Sequence, residues 1–307
     1  MNEDKVTGAR PCSHGAEDRI LLAVFNEFRI GILRGSNLVD VSDCFPSWRP
    51  DADSLPSCIA EWPAAKAAVL EAAATREPIA LAGLTLRAPV PNPRNLLGAP
   101  VNYDAHRGEV KMDRTGEASA LADARSRGFF VKSASSIVGP HEPIELPALE
   151  DREFAYEGEV ALIVGTNAKA VAAEDAWGHV FGLTGFLDVT LRPSAERTEE
   201  RSMRKSYHSF GPLGPWVLVT ETEPDLASIS LTLEVNGEVR QRGDLSQLIQ
   251  SIPDLIESGS SVIPLHPGDV FATGTPSGVG NIVPGDVVTL HVCPIGEMAI
   301  NVVERSW

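Results

Sequence analysis

Apolar residues fall along this chain in short runs bounded by Gly, Pro, Asn and Asp, a pattern that predicts strands in preference to helices. Leu21-Leu22-Ala23-Val24-Phe25 and Arg29-Ile30-Gly31-Ile32-Leu33, joined by polar residues, predict a hairpin. Comparable runs cover 128–132, 159–165, 216–220, 230–235, 270–273, 287–292 and 299–304. Asn236-Gly237 between alternating residues predicts a two-residue hairpin turn, since both central positions need positive φ. Pro267-Gly268-Asp269 and Pro284-Gly285-Asp286 read as turns that feed further apolar runs. Two stretches depart from this rhythm. Residues 58–76, rich in Ala, Leu and Glu, predict a helix ended by Glu77-Pro78. Residues 246–259 carry Leu248, Ile249, Ile252, Leu255 and Ile256 at amphipathic helical spacing despite Pro253.

The pattern as a whole predicts an α+β fold that is rich in β structure. Ala88-Pro89-Val90-Pro91-Asn92-Pro93-Arg94 cannot continue a helix or a central strand. It predicts a linker between a small N-terminal α+β domain over 20–90 and a larger domain over 91–307, preceded by a flexible tail over 1–19. Residues 104–128 are charged, rich in Ala, Gly, Arg and Asp and short of large apolar side chains, so they predict a mobile lid or loop helix.

Composition narrows the function classes. A chain of 307 residues with 43% hydrophobic and 22% charged residues has enough apolar material for a sizeable core. Its formal charge of -16 argues against a nucleic-acid or anionic-membrane partner, because both demand basic surface. A local lysine cluster or a metal could still attract a small anion. Cys12, Cys44, Cys58 and Cys293 lack Cys-x-x-Cys or Cys/His spacing, so neither a zinc site nor a disulfide framework is indicated, and free thiols in a reducing cytoplasm are expected. Residues 1–19 show no basic region followed by an apolar run, as a secretory signal needs, and no stretch has the length and apolarity of a transmembrane helix.

The most informative chemistry lies in Tyr156-Glu157-Gly158-Glu159, which runs straight into Val160-Ala161-Leu162-Ile163-Val164. Alternation along a strand puts Glu157 and Glu159 on one face, with Cα atoms roughly 6.5 to 7 Å apart. Two like charges that close are unfavourable unless a proton, an arginine or a cation lies between them, and a hard divalent metal needs such convergent oxygens. Glu-x-Glu alone is more often a solvated strand edge. Asp188, which closes the apolar Gly185-Phe186-Leu187, adds a third acid at the end of a buried segment and shifts the reading to a metal site.

Further motifs follow in a set order: Tyr103, His106 and Glu109 in a Tyr-x-x-His-x-x-Glu segment, Phe130-Val131-Lys132-Ser133, the Glu157/Glu159 segment, and Asp188-Val189-Thr190 with Arg192. Arg204-Lys205-Ser206 then leads to Gly211-Pro212-Leu213-Gly214-Pro215-Trp216, and Asn236-Gly237 with Gln241 precedes Thr273-Gly274-Thr275-Pro276-Ser277-Gly278. In this order the chain resembles the fumarylacetoacetate hydrolase family, in its acylpyruvate hydrolase and 2-hydroxyhepta-2,4-diene-1,7-dioate isomerase-like branch. Ordered agreement over such a span is more specific than any single motif.

The resemblance implies a catalytic domain of mixed β-sandwich or roll type, a homodimer, and one Mg²⁺, with Mn²⁺ or Ca²⁺ as substitutes, on Glu157, Glu159 and Asp188. Lys205 is the matched cation beside those acids. The implied substrate is a small anionic oxo-acid, an acylpyruvate or related β-diketo acid such as aromatic catabolism yields, cleaved to pyruvate and a carboxylic acid. His106 is the matched base for the attacking water and Glu109, at i+3, orients it; outside the family context the two read as a surface helix pair. Lys132, Arg192, Gln241, Thr275 and Tyr103 are the implied substrate contacts. On their own, Lys132 reads as a snorkelling strand-end lysine, Gln241 as an exposed hairpin residue and Thr275 as part of a plain loop. Decarboxylation of an oxo-acid, or isomerisation of an unsaturated dioic acid, on the same metal site is the alternative activity. A non-catalytic, metal-stabilised binding protein is a more remote one. Leu187 and Pro193 stand where many relatives carry Asn and Asp, which changes what surrounds the ligands and leaves the three acids in place.

Overall fold

The apolar runs become strands of two packed sheets. The computed structural model describes residues 9–11, 19–105, 124–194 and 196–306. The larger sheet has twelve strands, centred on the antiparallel set Gly211–Val219, Val180–Leu187 and Gly158–Val164, with Val270–Ala272 beyond. Every residue of Gly158–Val164 and Val180–Leu187 is buried. Both faces of these strands are covered, which is why their sequences read as unbroken apolar runs instead of alternating ones. The second sheet has six strands and includes Ser230–Val235, Glu238–Asp244, Val287–Cys293 and Gly296–Glu304. Ser230–Val235 and Val287–Cys293 alternate strictly between buried and half-buried residues, the sign of one face toward water.

The predicted Asn236-Gly237 turn joins Ser230–Val235 to Glu238–Asp244, with φ of 55° and 81° at its two central residues. The inner face of the second sheet presses on the main one through Leu233 and Leu290. Their methyl groups lie 2.9 and 3.2 Å from where a Cβ on Gly158 would stand.

The first helix starts earlier than its composition predicts and spans Ser54–Thr75. Pro56 lies in its first turn, where proline is tolerated. Trp62 from this helix packs edge-on against Phe181 of the main sheet at 5.6 Å between centroids. The second predicted helix is displaced. Leu245–Gln247 forms only a short 3-10 turn, and the helix proper is Ile252–Val262. Ser251 caps it: its hydroxyl accepts from the Asp254 N–H while the Asp254 carboxylate accepts from the Ser251 N–H. Pro253 thus falls in the first turn, where no backbone N–H is needed.

The N-terminal hairpin extends the main sheet, since Leu21 and Leu22 pair with Leu218 and Val217. Ala88 and Val90 of the proline-spaced stretch are buried. The segments 20–90 and 91–307 therefore share one continuous sheet. Within the expected tail, Ala9–Pro11 pairs with Gly296–Met298 at the edge of the second sheet. The greater part of the predicted lid, with His106 and Glu109, lies outside the described residues. No helix among the described residues is long and apolar enough to cross a membrane, and Cys44, Cys58 and Cys293 are free thiols.

The close approach at Gly158 yields a test of the sheet packing. Gly158→Val should destabilise the fold by about 1–3 kcal/mol, because the added side chain overpacks the layer between the sheets. A urea midpoint equal to wild type would show that the layer is looser than drawn.

Candidate metal centre and its cleft

Strand register brings the acids together. Gly158 pairs with Leu187, so Glu157 and Asp188, the next residues outward, meet at the end of the strand pair. The Asp188 N–H donates to the Glu157 carbonyl at 2.8 Å. Glu159 stands opposite Phe186. Carboxylate oxygens of Glu157, Glu159 and Asp188 lie within 4.8 Å of one another, and the residues are only 8%, 2% and 0% exposed.

Three buried carboxylates this close require compensation. Lys205, at the end of the short helix Arg201–Lys205, donates to Glu157 Oε2 at 2.7 Å, to Asp188 Oδ2 at 2.6 Å and to Thr190 Oγ1 at 2.7 Å. Lys132 approaches from the other side and donates to Asp188 Oδ1 at 2.8 Å and to the Phe210 carbonyl at 2.7 Å. Each ammonium also lies near an aromatic ring, Lys205 at 5.1 Å from the Phe130 centroid and Lys132 at 5.6 Å from that of Phe186. Burial alone would raise the Asp188 carboxyl, but the two lysines outweigh it and hold that group below the usual carboxylate range. Burial also works against the Lys205 charge, and Asp188 and Glu157 more than reverse that effect, so Lys205 stays protonated.

Glu159 is the opposite case. Burial, then the charges of Asp188 and Glu157, push it well above the ordinary range, and Lys205 and the Gly274 N–H, 2.8 Å from its Oε2, offset this only in part. A divalent cation would supply the missing charge where neither lysine forms a bond. The all-oxygen donor set suits a hard ion, and Glu157, Glu159 and Asp188 are the residues that would hold it.

The Gly274 N–H reaches Glu159 only because the backbone there has φ of +102°, and a Cβ at that position would stand 2.7 Å from that of Asn102. Asn102 is fully buried; its amide donates to the Thr273 and Gln250 carbonyls and accepts from the Gln250 N–H. One side chain thus ties the loop that steadies Glu159 to the start of the Ile252–Val262 helix.

Glu157 and Glu159 line one side of a cleft, open to solvent, whose wall also carries Arg127, Arg192, Arg201 and Arg204. Arg192 Nη1 is 3.6 Å from Glu157 Oε1. Arg204 is anchored on backbone, donating to the Glu199 carbonyl at 2.9 Å and the Leu191 carbonyl at 3.1 Å.

The residues expected to touch substrate divide into two groups. Arg192 and Thr275 line the cleft. Thr275 Oγ1 donates to the Gly158 carbonyl and accepts from Gln241 Nε2, both at 2.8 Å. Gln241 is buried: its Oε1 accepts from the Gly158 N–H at 2.9 Å and its Nε2 also donates to the Pro276 carbonyl at 2.8 Å. The amide therefore braces the strand between the two glutamates. Lys132 is fully engaged behind Asp188. Tyr103 is buried and its hydroxyl has no hydrogen-bond partner among the described residues. Of the positions that depart from many relatives, Leu187 is core and Pro193 lines the cleft. Sequence reasoning passed over Arg201 and Arg127. A signal existed for Arg201, which lies at i and i+4 with Lys205 and so on the same helix face. Arg127 closes a polar segment and gives no comparable signal.

Two substitutions separate the duties of these acids. Asp188→Ala deprives two buried ammonium groups of their shared counter-charge and should cost about 3–5 kcal/mol of stability in metal-free protein, read from urea unfolding. Glu159→Gln removes the acid that the metal-free site tolerates least. That variant is expected to melt no lower than metal-free wild type while losing the stabilisation that Mg²⁺ or Mn²⁺ confers. Undiminished stabilisation by either ion would contradict the ligand assignment.

Residues 95–303 match the model of a family described as fumarylacetoacetate (FAA) hydrolase, C-terminal. A maleylpyruvate hydrolase of Aquipseudomonas alcaligenes is 36% identical over 282 residues, covering 90% of this chain and 96% of that protein. The crystal structure of maleylpyruvate hydrolase from Sphingobium sp. SYK-6, in complex with manganese(II) ion and pyruvate, matches with a TM-score of 0.81 at 34% identity, covering 93% of this chain and 100% of that one. Oxaloacetate tautomerase YisK of Bacillus subtilis (strain 168) is 32% identical over 228 residues, covering 71% of this chain and 73% of that protein. The match takes in every member of the buried acid cluster and the lysines that balance it, and the chain belongs to the fumarylacetoacetate hydrolase family.

Proposed function

We propose that the protein is a divalent-metal-dependent hydrolase that breaks a carbon–carbon bond of an acylpyruvate or related β-diketo acid, giving pyruvate and a carboxylic acid. The observation that carries this reading is the buried Glu157, Glu159 and Asp188 cluster beside an arginine-walled cleft. Similarity to a maleylpyruvate hydrolase whose structure contains manganese and pyruvate supports it. Mg²⁺ is the ion we assign, with Mn²⁺ or Ca²⁺ as substitutes, because the donors are all carboxylate oxygens. When bound, the ion would polarise the substrate's keto oxygen and offset charge on the departing enolate.

Arg192, close to Glu157, presents a planar fork suited to the α-carboxylate. Lys205 keeps positive charge at the side of the cleft where the enolate develops. Water attacks the distal carbonyl carbon, and the tetrahedral adduct collapses by breaking the bond from that carbon to the neighbouring methylene. The carboxylic acid leaves on one side and pyruvate enolate on the other, which takes a proton at carbon to become pyruvate. His106 is proposed as the base that accepts the proton of the attacking water, and Glu109 as the group that orients it. Val101 and Arg127, which precede and follow these residues in the sequence, both line the cleft. A cytoplasmic homodimer belongs to the same proposal. Similarity to an oxaloacetate tautomerase favours one second reading, in which the same cleft moves a proton on an oxo-acid without water attack.

Proton NMR of products distinguishes the readings. With Mg²⁺, acylpyruvates should yield pyruvate and the matching acid in equal amounts, and a chelator should abolish the reaction. Enolisation of oxaloacetate with no cleavage of any acylpyruvate would favour the tautomerase. His106→Ala should slow hydrolysis by about 10²–10⁴-fold with metal binding retained; an unchanged kcat in that variant would remove His106 from its role.

A further inference from the structure

The acids and lysines do not use up the charge of the cleft. With a divalent ion and both ammonium groups in place, the three carboxylates are more than neutralised. An α-carboxylate on Arg192 answers one guanidinium more, and Arg204 is committed to backbone carbonyls. Arg201 is different. It is half-buried, lines the cleft, and its guanidinium has no hydrogen-bond or ion-pair partner among the described residues. Burial and the like charges of Arg127 and Arg204 all disfavour its cationic form, and Glu157 and Asp188 relieve this only in part. Among the described residues, no carboxylate is bonded to that guanidinium, which leaves it able to receive an anion.

We propose that Arg201 anchors a second carboxylate at the distal end of the substrate, so that the protein selects diacids of the acylpyruvate class over their monoacid counterparts. This rests on the reading of the cleft as an acylpyruvate site. Geometry separates the two ends. Lys205 touches the metal-type acids, and Arg201 begins the same helix one turn away, about 6 Å along the axis. Arg192 and Arg201 line the same cleft, so a diacid with its α-carboxylate near Arg192 would present its other carboxylate to Arg201. The planar fork takes a carboxylate in two parallel hydrogen bonds, and Arg127 on the same wall adds positive charge. A neutral acyl end offers Arg201 nothing in return for its lost hydration.

The test compares succinylpyruvate with butanoylpyruvate, which differs only in carrying a methyl group in place of the terminal carboxylate. Wild type should prefer the diacid in kcat/KM. Arg201→Gln should lower the diacid-to-monoacid ratio by about tenfold to a hundredfold, chiefly through KM, and Arg201→Lys by less. Thermal melts establish that each variant is folded. An equal loss on both substrates would put Arg201 at the shared α-carboxylate end, and an unchanged ratio would make it a solvated surface residue; either overturns the proposal. Calorimetric binding of α-oxoadipate against α-oxohexanoate to the Mn²⁺-loaded protein reads the same preference without turnover. A protein that cleaves neither acylpyruvate but loses diacid binding in Arg201→Gln would retain the anchor and refute the hydrolase reading.

Discussion

Holding three carboxylates together away from water is the constraint on which the rest of this site depends. Each acid comes from a strand end fixed by the Gly158–Leu187 register, and each lysine comes from a separate element, the Phe130–Lys132 strand and the Arg201–Lys205 helix. Neither lysine is free to leave, because each has bonded partners and little contact with water. The cluster is therefore an arrangement of mutual need, in which charge compensation selects one geometry among the loops that meet there. Glu159 is the member left over, the one carboxylate of the three that neither lysine bonds.

The second sheet supplies the rigidity behind this arrangement. Leu233 and Leu290 press on Gly158 from the face opposite the acids, and Gln241 from the neighbouring hairpin strand bonds to Gly158, Thr275 and Pro276 at once. A slip of either sheet would move the carboxylates directly. Preorganisation of this kind allows oxygen donors to be held at metal distance without reorganising when charge appears.

Much of this was legible in the residues. The Asn236-Gly237 turn and the strand Ser230–Val235 follow from local chemistry, since turn geometry and short apolar runs depend on neighbours in sequence; the acid triad was legible as three acids at the ends of apolar runs, and the long-range Gly158–Leu187 pairing brings them together. The helix expected over 246–259 shows the limit: apolar spacing extended back to Leu248, but the Ser251/Asp254 cap starts the helix at Ile252, and a capping box outranks periodicity at an end. Gln241 shows another limit. Its place in a hairpin suggested exposure, and only the stacking of the second sheet on the first, a contact between distant segments, buries it. Arg201 was readable on its helix face. That its guanidinium has no partner among the described residues was not, because this depends on segments distant in sequence.

The pairing of Leu21 and Leu22 with Leu218 and Val217 has a consequence for how such a protein can be rearranged. The N-terminal segment acts as an edge guard: without it, the Gly211–Val219 strand would present unpaired backbone groups to any other extended chain. The cleft-bearing portion thus shares its sheet with that segment. A chimera that exchanged the first ninety or so residues between relatives would have to match a hydrogen-bonding register as well as a junction, and a mismatch there would surface as self-association before it touched the chemistry.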